Sequence, residues 1–394
     1  MLRTSAVRFA VWILAASQAI SQTVVVLMIT LSALIGRTLA PTEALATLPV
    51  ATFIAGTALA MVPASLFMGR FGRRPGFVIG GSLGLAGTVA SWSAVNAGSF
   101  AGFVAGSILI GMYQGVSQYY RFAAADVTGP EYRSRAISWV LAGGVVAAIA
   151  GPEIAKRAAD WGEVAFAAPF LVAAGLAATG IVLVLFLNIP HTRVDPAVAA
   201  GRSLGEIMRQ PVFLVAAIGA GSAFAVMTLA MVSTPLAMTG HAHSIEDAAL
   251  VIQFPVLGMF LPSFFTGHLI HRFGVLPVMF TGLALLFAHV AVTASGIGLP
   301  HFLAALTLLG VGWNFMFVGG STLLGEAHRP EEKAKTQAAN DLLVYGFSIT
   351  GSVSSGILLA ALGWTGVNIA ALPALAGVAG LTVWYWLRTR PLPA

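Results

Sequence analysis

The chain has 394 residues, of which 58% are hydrophobic and only 9% charged, with a mean hydropathy of +0.90 and a formal net charge of +6. Soluble domains carry about 25% charged residues, so this composition excludes a water-soluble globule and makes lipid the solvent. Cysteine is absent, which excludes disulfides, thiolate metal sites and cysteine nucleophiles. The positive charge needs no nucleic acid to explain it, because basic loops beside anionic lipid suffice.

Twelve apolar runs follow one another, each long enough for a helix to cross a hydrocarbon core of about 30 Å. They lie near 9–36, 43–67, 76–96, 98–125, 135–156, 163–188, 210–237, 245–270, 277–296, 299–325, 336–361 and 365–387. An all-α integral membrane protein of twelve transmembrane helices is therefore expected. Little chain remains outside the spans for a soluble catalytic domain, and no metal triad, nucleophile elbow or phosphate loop is visible, so neither an enzyme nor a cofactor is expected. The first run is too long for a removable signal peptide.

Orientation follows from the basic residues. If the N-terminus is cytoplasmic, that face carries Arg3, Arg8, Arg70, Arg73, Arg74, Arg121, Arg133, Arg135, Arg193, Arg202, Arg209, Arg272, Arg329, Lys333, Lys335, Arg388 and Arg390. The other face holds only Arg37, Lys156 and Arg157, 3 of the 20. The positive-inside rule puts both termini and the central loop in the cytoplasm.

The chain also repeats itself. RFGRRP at Arg70–Pro75 returns as RFGVLP at Arg272–Pro277, and PEYRSRA at Pro130–Ala136 returns as PEEKAKT at Pro330–Thr336. The offsets of 202 and 200 residues agree, and each pair falls at the same place in its half. Two six-helix bundles in one orientation are expected, 1–188 and 210–394, joined by a cytoplasmic linker, 189–209.

With these loops the chain resembles the major facilitator superfamily over essentially its full length. That family's loop between helices 2 and 3 carries Gly-x-x-x-Asp-Arg-x-Gly-Arg-Arg, matched here by Arg70, Gly72, Arg73 and Arg74. Ser65 stands for the first glycine and Gly69 for the aspartate, so the family's usual charge pair lacks its acid here; in the second half Gly267, Arg272 and Gly274 match, with His271 at the acidic position. The resemblance implies a secondary transporter working by alternating access, with these loops as gate elements. Asp126, mirrored by Glu326, precedes the basic residues Arg133 and Arg135 or Lys333 and Lys335, and interfacial ion pairs are expected there. Asp341 is the alternative proton carrier, proton coupling being an expectation of the superfamily. His289, mid-span in the ninth helix, reads as a hydrogen-bonded packing residue.

The resemblance also implies a cavity lined by helices 1, 4, 7 and 10. The first carries Gln18 and Gln22 and the fourth Gln114 and Gln118, each pair spaced i, i+4 on one helical face, with Asn314 at the position 200 residues after Gln114. Amides in hydrocarbon are costly unless bonded, whether to a substrate or to neighbouring helices as packing glue. Tyr113, Tyr119, Tyr120, Trp139, Trp313, Phe315, Phe317 and Tyr345 offer flat walls, and Arg121 stands at the end of the fourth helix. Such a pocket suits a planar heterocycle with an imide or amide edge.

Met227 and Met231, four apart on helix 7, suit Cu(I) as soft thioethers. The region resembles the branch that imports copper for cytochrome oxidase assembly, in which a Met-x-x-x-Met works with a His-x-x-x-Met on helix 8. Here the second motif reads PVLGM, Pro255–Met259, and proline has no ligand atom. The same branch contains riboflavin uptake proteins, and the broken motif and the amide-plus-aromatic set favour a planar organic solute of that kind. Copper import through Met227, Met231 and Met259, efflux of a drug or metabolite, and a non-transporting membrane scaffold stay open. The partners expected are a small-molecule substrate, the bilayer and a coupling proton, with the chain as a monomer.

Overall fold

The computed structural model describes residues 5–128, 133–189, 201–329 and 332–389. Of the expectations above, most of the linker, residues 190–200, lies outside them, as do the side chains of Arg133, Arg135 and Lys333.

Among the described residues every regular element is helical. Two compact units are resolved, Met1–Val194 with Met238–Val256, and Asp195–Ala237 with Leu257–Ala394. The first contains α1 (Ser5–Leu39), α2 (Leu48–Phe71), α3 (Arg73–Asn96), α4 (Phe100–Ser117), α5 (Tyr120–Val127), α6 (Arg133–Arg157) and α7 (Ala168–Leu185). The rest of the chain forms α8 (Leu204–Met208), α9 (Pro211–Gly240), α10 (Ile245–Phe260), α11 (Ser263–Phe273), α12 (Val275–Ser295), α13 (Leu299–Glu326), α14 (Lys333–Ile369) and α15 (Leu372–Thr389). The end of α9 and most of α10 group with the first unit, where Glu246 meets Lys156 of α6 at 3.5 Å.

In the first unit α2 and α3 pack on α4, α1 on α6 and α3 on α7. Lipid supplies no hydrophobic drive between helices, so close backbone approach must come from small residues. A Cβ at Gly111 of α4 would meet the Phe53 carbonyl of α2, and one at Gly143 of α6 would lie 2.7 Å from the Ala19 amide of α1. Leu14, Phe77, Tyr120 and Val140 form the buried core beneath these contacts.

The repeated loops are built alike. Gly72 ends α2 at φ 95° and Gly274 ends α11 at φ 89°, a region that favours glycine, and each stops a helix where the matching motif predicts a turn. The arginine before each turn lies over the next aromatic ring, Arg70 over Phe71 at 5.4 Å and Arg272 over Phe273 at 5.2 Å.

Among the described residues nine helices are long and apolar enough to cross a bilayer, or ten if the bent pair of α10 and α11 is one span. One of the nine, Lys335–Thr389, runs for 55 residues and contains both of the last two predicted spans. Gly363, at φ 66°, is the non-helical residue inside α14 and falls in the predicted gap between them. The predicted run 245–270 is not one straight helix: it breaks between Phe260 and Ser263 with a bend of 42°. Pro262 there has no amide N–H to donate to the preceding turn.

Candidate functional site

In the first unit α1 and α4 bring two of the predicted amides together. Gln114 donates from Nε2 to Gln22 Oε1 at 3.0 Å, and its own Oε1 is buried without a partner among the described residues. Gln22 is half-buried, so the pair presents an amide donor beside an unused acceptor. Gln18, nearly buried, and Gln118, half-buried, occupy the adjoining turns. Arg121 on α5 has its Nε buried without a partner among the described residues, and its guanidinium lies 4.9 Å from the Phe122 ring.

Several predicted wall residues serve elsewhere. Tyr119 donates its hydroxyl to the Met61 carbonyl at 2.8 Å and ties the turn after α4 to α2. Tyr113 and Tyr120 are core residues, each 1% exposed, with Tyr120 packed on Phe77 at 4.6 Å. Trp139 is exposed on the outer surface of α6 against Trp12.

In the other unit the aromatics do cluster. Trp313 and Phe317 of α13 stack at 4.9 Å with an interplanar angle of 17°, and Phe224 of α9 stands edge-on to both at 4.9 and 5.3 Å. Tyr345 of α14 closes the group 6.5 Å from Phe224. Trp313 is buried and its indole N–H has no partner among the described residues, whereas Phe224, Phe317 and Tyr345 are half-buried. A buried Trp N–H normally finds an acceptor, so this one is a donor held in reserve.

Asn314 departs from its expected role. It donates from Nδ2 to the Met259 carbonyl at 2.7 Å and to Ser263 Oγ at 2.6 Å, and accepts from Thr266 Oγ1 at 2.7 Å. Every one of these partners flanks the break between α10 and α11, so the amide staples a bent helix with both of its N–H groups committed. Met231 is buried, and Met227 and Met259 are half-buried. Among the described residues no three His, Asp or Glu side chains are grouped to hold a metal.

Of the basic residues expected to pair with Asp126 and Glu326, the side chains of Arg133, Arg135 and Lys333 lie outside the described residues. Asp126 pairs with Arg73 of the α2–α3 loop motif, at 2.8 Å. Arg74 is exposed, as is Glu326, which has no ion pair among the described residues. The strong pair of the second unit is one that sequence reasoning missed. Arg202 holds both oxygens of Glu332, Nη2 to Oε2 at 2.7 Å and Nε to Oε1 at 3.1 Å. The backbone amides of Arg202 and Arg329 also donate to this carboxylate, and Lys335 bonds the Arg202 carbonyl. The Arg202 guanidinium, helped by those two amides, holds the Glu332 carboxyl far below the usual carboxylate range. One signal was available: the second acid of PEEKAKT stands where PEYRSRA has Tyr132. Phe224 was missed too, hidden in an apolar helix without a motif. Asp341 is half-buried and accepts from Asn340 Nδ2 at 3.2 Å.

The Major Facilitator Superfamily profile matches residues 11–251 and 216–394. The chain is 39% identical to the riboflavin transporter RfnT of Brucella anthropi over 379 residues, 95% of each protein. It is 31% identical to the uncharacterised MFS-type transporter YdeG of Bacillus subtilis over 393 residues, 92% of this chain and 88% of that one. Among solved structures it is similar to an occupied, inward-facing bacterial homologue of the human lysosomal transporter Spinster, with a TM-score of 0.75, 18% identity, and coverage of 99% and 100% of the two chains. The D-xylose-proton symporter gives a TM-score of 0.72 at 16% identity, with coverage of 96% and 97%. These structural likenesses carry the fold alone. The chain thus belongs to the major facilitator superfamily and is a multi-pass membrane transporter of a small-molecule substrate, a carrier and not an enzyme.

Proposed function

We propose that the chain takes up riboflavin across the bacterial inner membrane. The observation that carries this reading is the 39% identity over 95% of both chains to a riboflavin transporter. The aromatic cluster of the second unit supports it, because an isoalloxazine ring is flat and apolar with one imide edge. The half-buried faces of Phe224, Phe317 and Tyr345 offer a stacking surface, and the spare N–H of Trp313 offers a donor to a ring carbonyl. Gln22, Gln114, Gln18, Gln118 and Arg121 are the residues of the first unit assigned to the substrate's polar groups, through the unused Gln114 oxygen and the Arg121 Nε. Riboflavin is uncharged, so no fixed counter-charge is required.

The carrier works by alternating access between two six-helix bundles, 1–188 and 210–394, within a single chain, and a monomer therefore suffices. Both termini are cytoplasmic, in line with the 17 basic residues assigned to that face. Arg70, Arg73, Arg74, Asp126 and Arg272 are its gate residues, and a proton is its coupling ion.

The reading is tested by uptake of labelled riboflavin and labelled copper, side by side, in cells lacking their own importers. Riboflavin uptake that survives the Met227→Ala/Met231→Ala double change supports it. Copper uptake abolished by that change, without riboflavin uptake, would replace it with the copper reading.

A further inference from the structure

His289 lies in the middle of α12 with no exposed surface. Its Nδ1 is 2.8 Å from the carbonyl oxygen of Ala305 on α13, and its Nε2 is 2.9 Å from Oδ1 of Asn368 in the last turn of α14. A carbonyl oxygen only accepts, so Nδ1 must donate. Asn368 donates its own Nδ2 to the Trp364 carbonyl at 2.9 Å, which turns its oxygen towards the ring. Both ring nitrogens therefore face acceptors. A neutral imidazole has one N–H and satisfies one of them; an imidazolium satisfies both. Turning the Asn368 amide over would give a neutral ring its second bond, but would set Oδ1 against the Trp364 carbonyl, acceptor against acceptor.

Among the described residues no carboxylate pairs with the ring. The helices packed on α12 are α11, α13, α14 and α15. Their titratable groups are His268, His271 and Arg272, then His301 and Glu326, then Lys333, Lys335, Asp341 and Tyr345, then Tyr385 and Arg388. The Lys333 side chain lies outside the described residues, and among the others none bonds the ring. Inside a span an uncompensated cation is expensive, so two well-placed acceptors set against burial make proton occupancy an equilibrium and not a fixture.

We propose that His289 is a buried proton-binding site: Nδ1 keeps its hydrogen on the Ala305 carbonyl, and a second proton binds Nε2 against Asn368 Oδ1 and leaves when the Asn368 amide turns its N–H to that nitrogen. The site is coupled to the backbone. Asn368 follows the non-helical Gly363 by five residues, and Trp364 between them packs on Phe302 of α13 at 5.1 Å. Loss of the proton thus acts on the break that separates the last two spans. The site gives the coupling proton of the proposed function a place, and rests on that reading only for what the proton drives.

The test uses the full-length protein in lipid bilayers with nitrogen-15-labelled histidine rings, followed by solid-state NMR across about pH 5 to 8, where histidine charge is decided. The expected result is a ring signal with two N–H groups at the acid end that converts to one N–H as the pH rises. It is assigned by its loss in His289→Gln, and in Asn368→Ala it is in the one-proton form at every pH. A His289 ring that keeps a single N–H throughout, or one indifferent to Asn368→Ala, overturns the proposal. In vesicles, an inward proton gradient should raise riboflavin uptake about fivefold in the natural sequence. Asn368→Ala should lose that stimulation and keep gradient-free exchange. Equal stimulation in both forms also overturns it. Absence of riboflavin movement in every form faults the substrate reading alone, and the NMR titration then decides the proton site.

Discussion

Arg73 donates from both Nε and Nη2 to one oxygen of Asp126, at 3.1 and 2.8 Å, and so ties the start of α3 to the end of α5 across 53 residues of sequence. The loop motif lacks its usual acid, with Gly69 in that place, and Asp126 supplies the missing charge from a different helix. The pair is partly open, with side chains 25% and 43% exposed. It contributes about 0.2–1 kcal/mol, enough to bias a conformational equilibrium and too little to hold the fold.

Asp126→Asn should therefore change the riboflavin uptake rate about two- to fivefold while leaving the melting temperature near that of the natural sequence. Arg73→Ala should do the same, and the double change should be no worse than either single one, since the two residues act as one unit. Uptake kinetics of the four proteins close this cycle. Effects that multiply in the double form would mean that the two side chains act separately.

The second pair predicts a pH dependence. Folding depresses the Glu332 carboxyl below its ordinary value of 4.5, through Arg202 and the amides of Arg202 and Arg329. A depressed carboxyl contributes stability that is present in full above the ordinary value and is lost as the pH falls towards the folded one. Thermal unfolding followed from neutral pH downwards should show the natural sequence losing stability once below about 4.5, with Glu332→Gln less stable at neutral pH and flatter in acid. Parallel acid limbs in the two proteins would remove Glu332 from the account.

The architecture was legible because it is written in local signals: apolar runs of span length, basic loops, and glycine turns recurring about 200 residues apart. Gly363 even falls in the predicted gap between the last two spans. The pairings were not legible, because they depend on which helix ends meet. Asp126 finds Arg73, while Arg202 finds Glu332 across 130 residues; the basic residues expected beside Asp126, Arg133 and Arg135, have side chains outside the described residues. Symmetry misled at Asn314. Its position matches Gln114, but a proline-broken neighbour in its own half claims the amide. A repeat preserves where a residue stands and not what stands opposite it.

Asn314→Leu should be costly for that reason. The change removes the amide's bonds to the Met259 carbonyl, Ser263 and Thr266, whose hydroxyls keep the Met259 and Pro262 carbonyls, and a lost hydrogen bond of this kind costs about 0.5–1.5 kcal/mol. A lower melting temperature in detergent is expected, with riboflavin affinity of the folded fraction unchanged. Unchanged stability with affinity lost would return Asn314 to the substrate.

Trp313 separates two contributions, stacking and the spare N–H. Trp313→Phe keeps an aromatic face against Phe317 and Phe224 and removes the donor, so it should weaken riboflavin binding by about 0.5–1.5 kcal/mol, roughly two- to tenfold. Trp313→Ala also removes the ring that backs Phe317, 4.9 Å away, and should cost more than the phenylalanine change. Equilibrium binding of labelled riboflavin to the purified proteins measures both. Because an indole N–H that is merely buried gains by being replaced with carbon, tighter folding of Trp313→Phe with undiminished binding would show that the donor meets no substrate, and would move the imide edge to the Gln22–Gln114 pair.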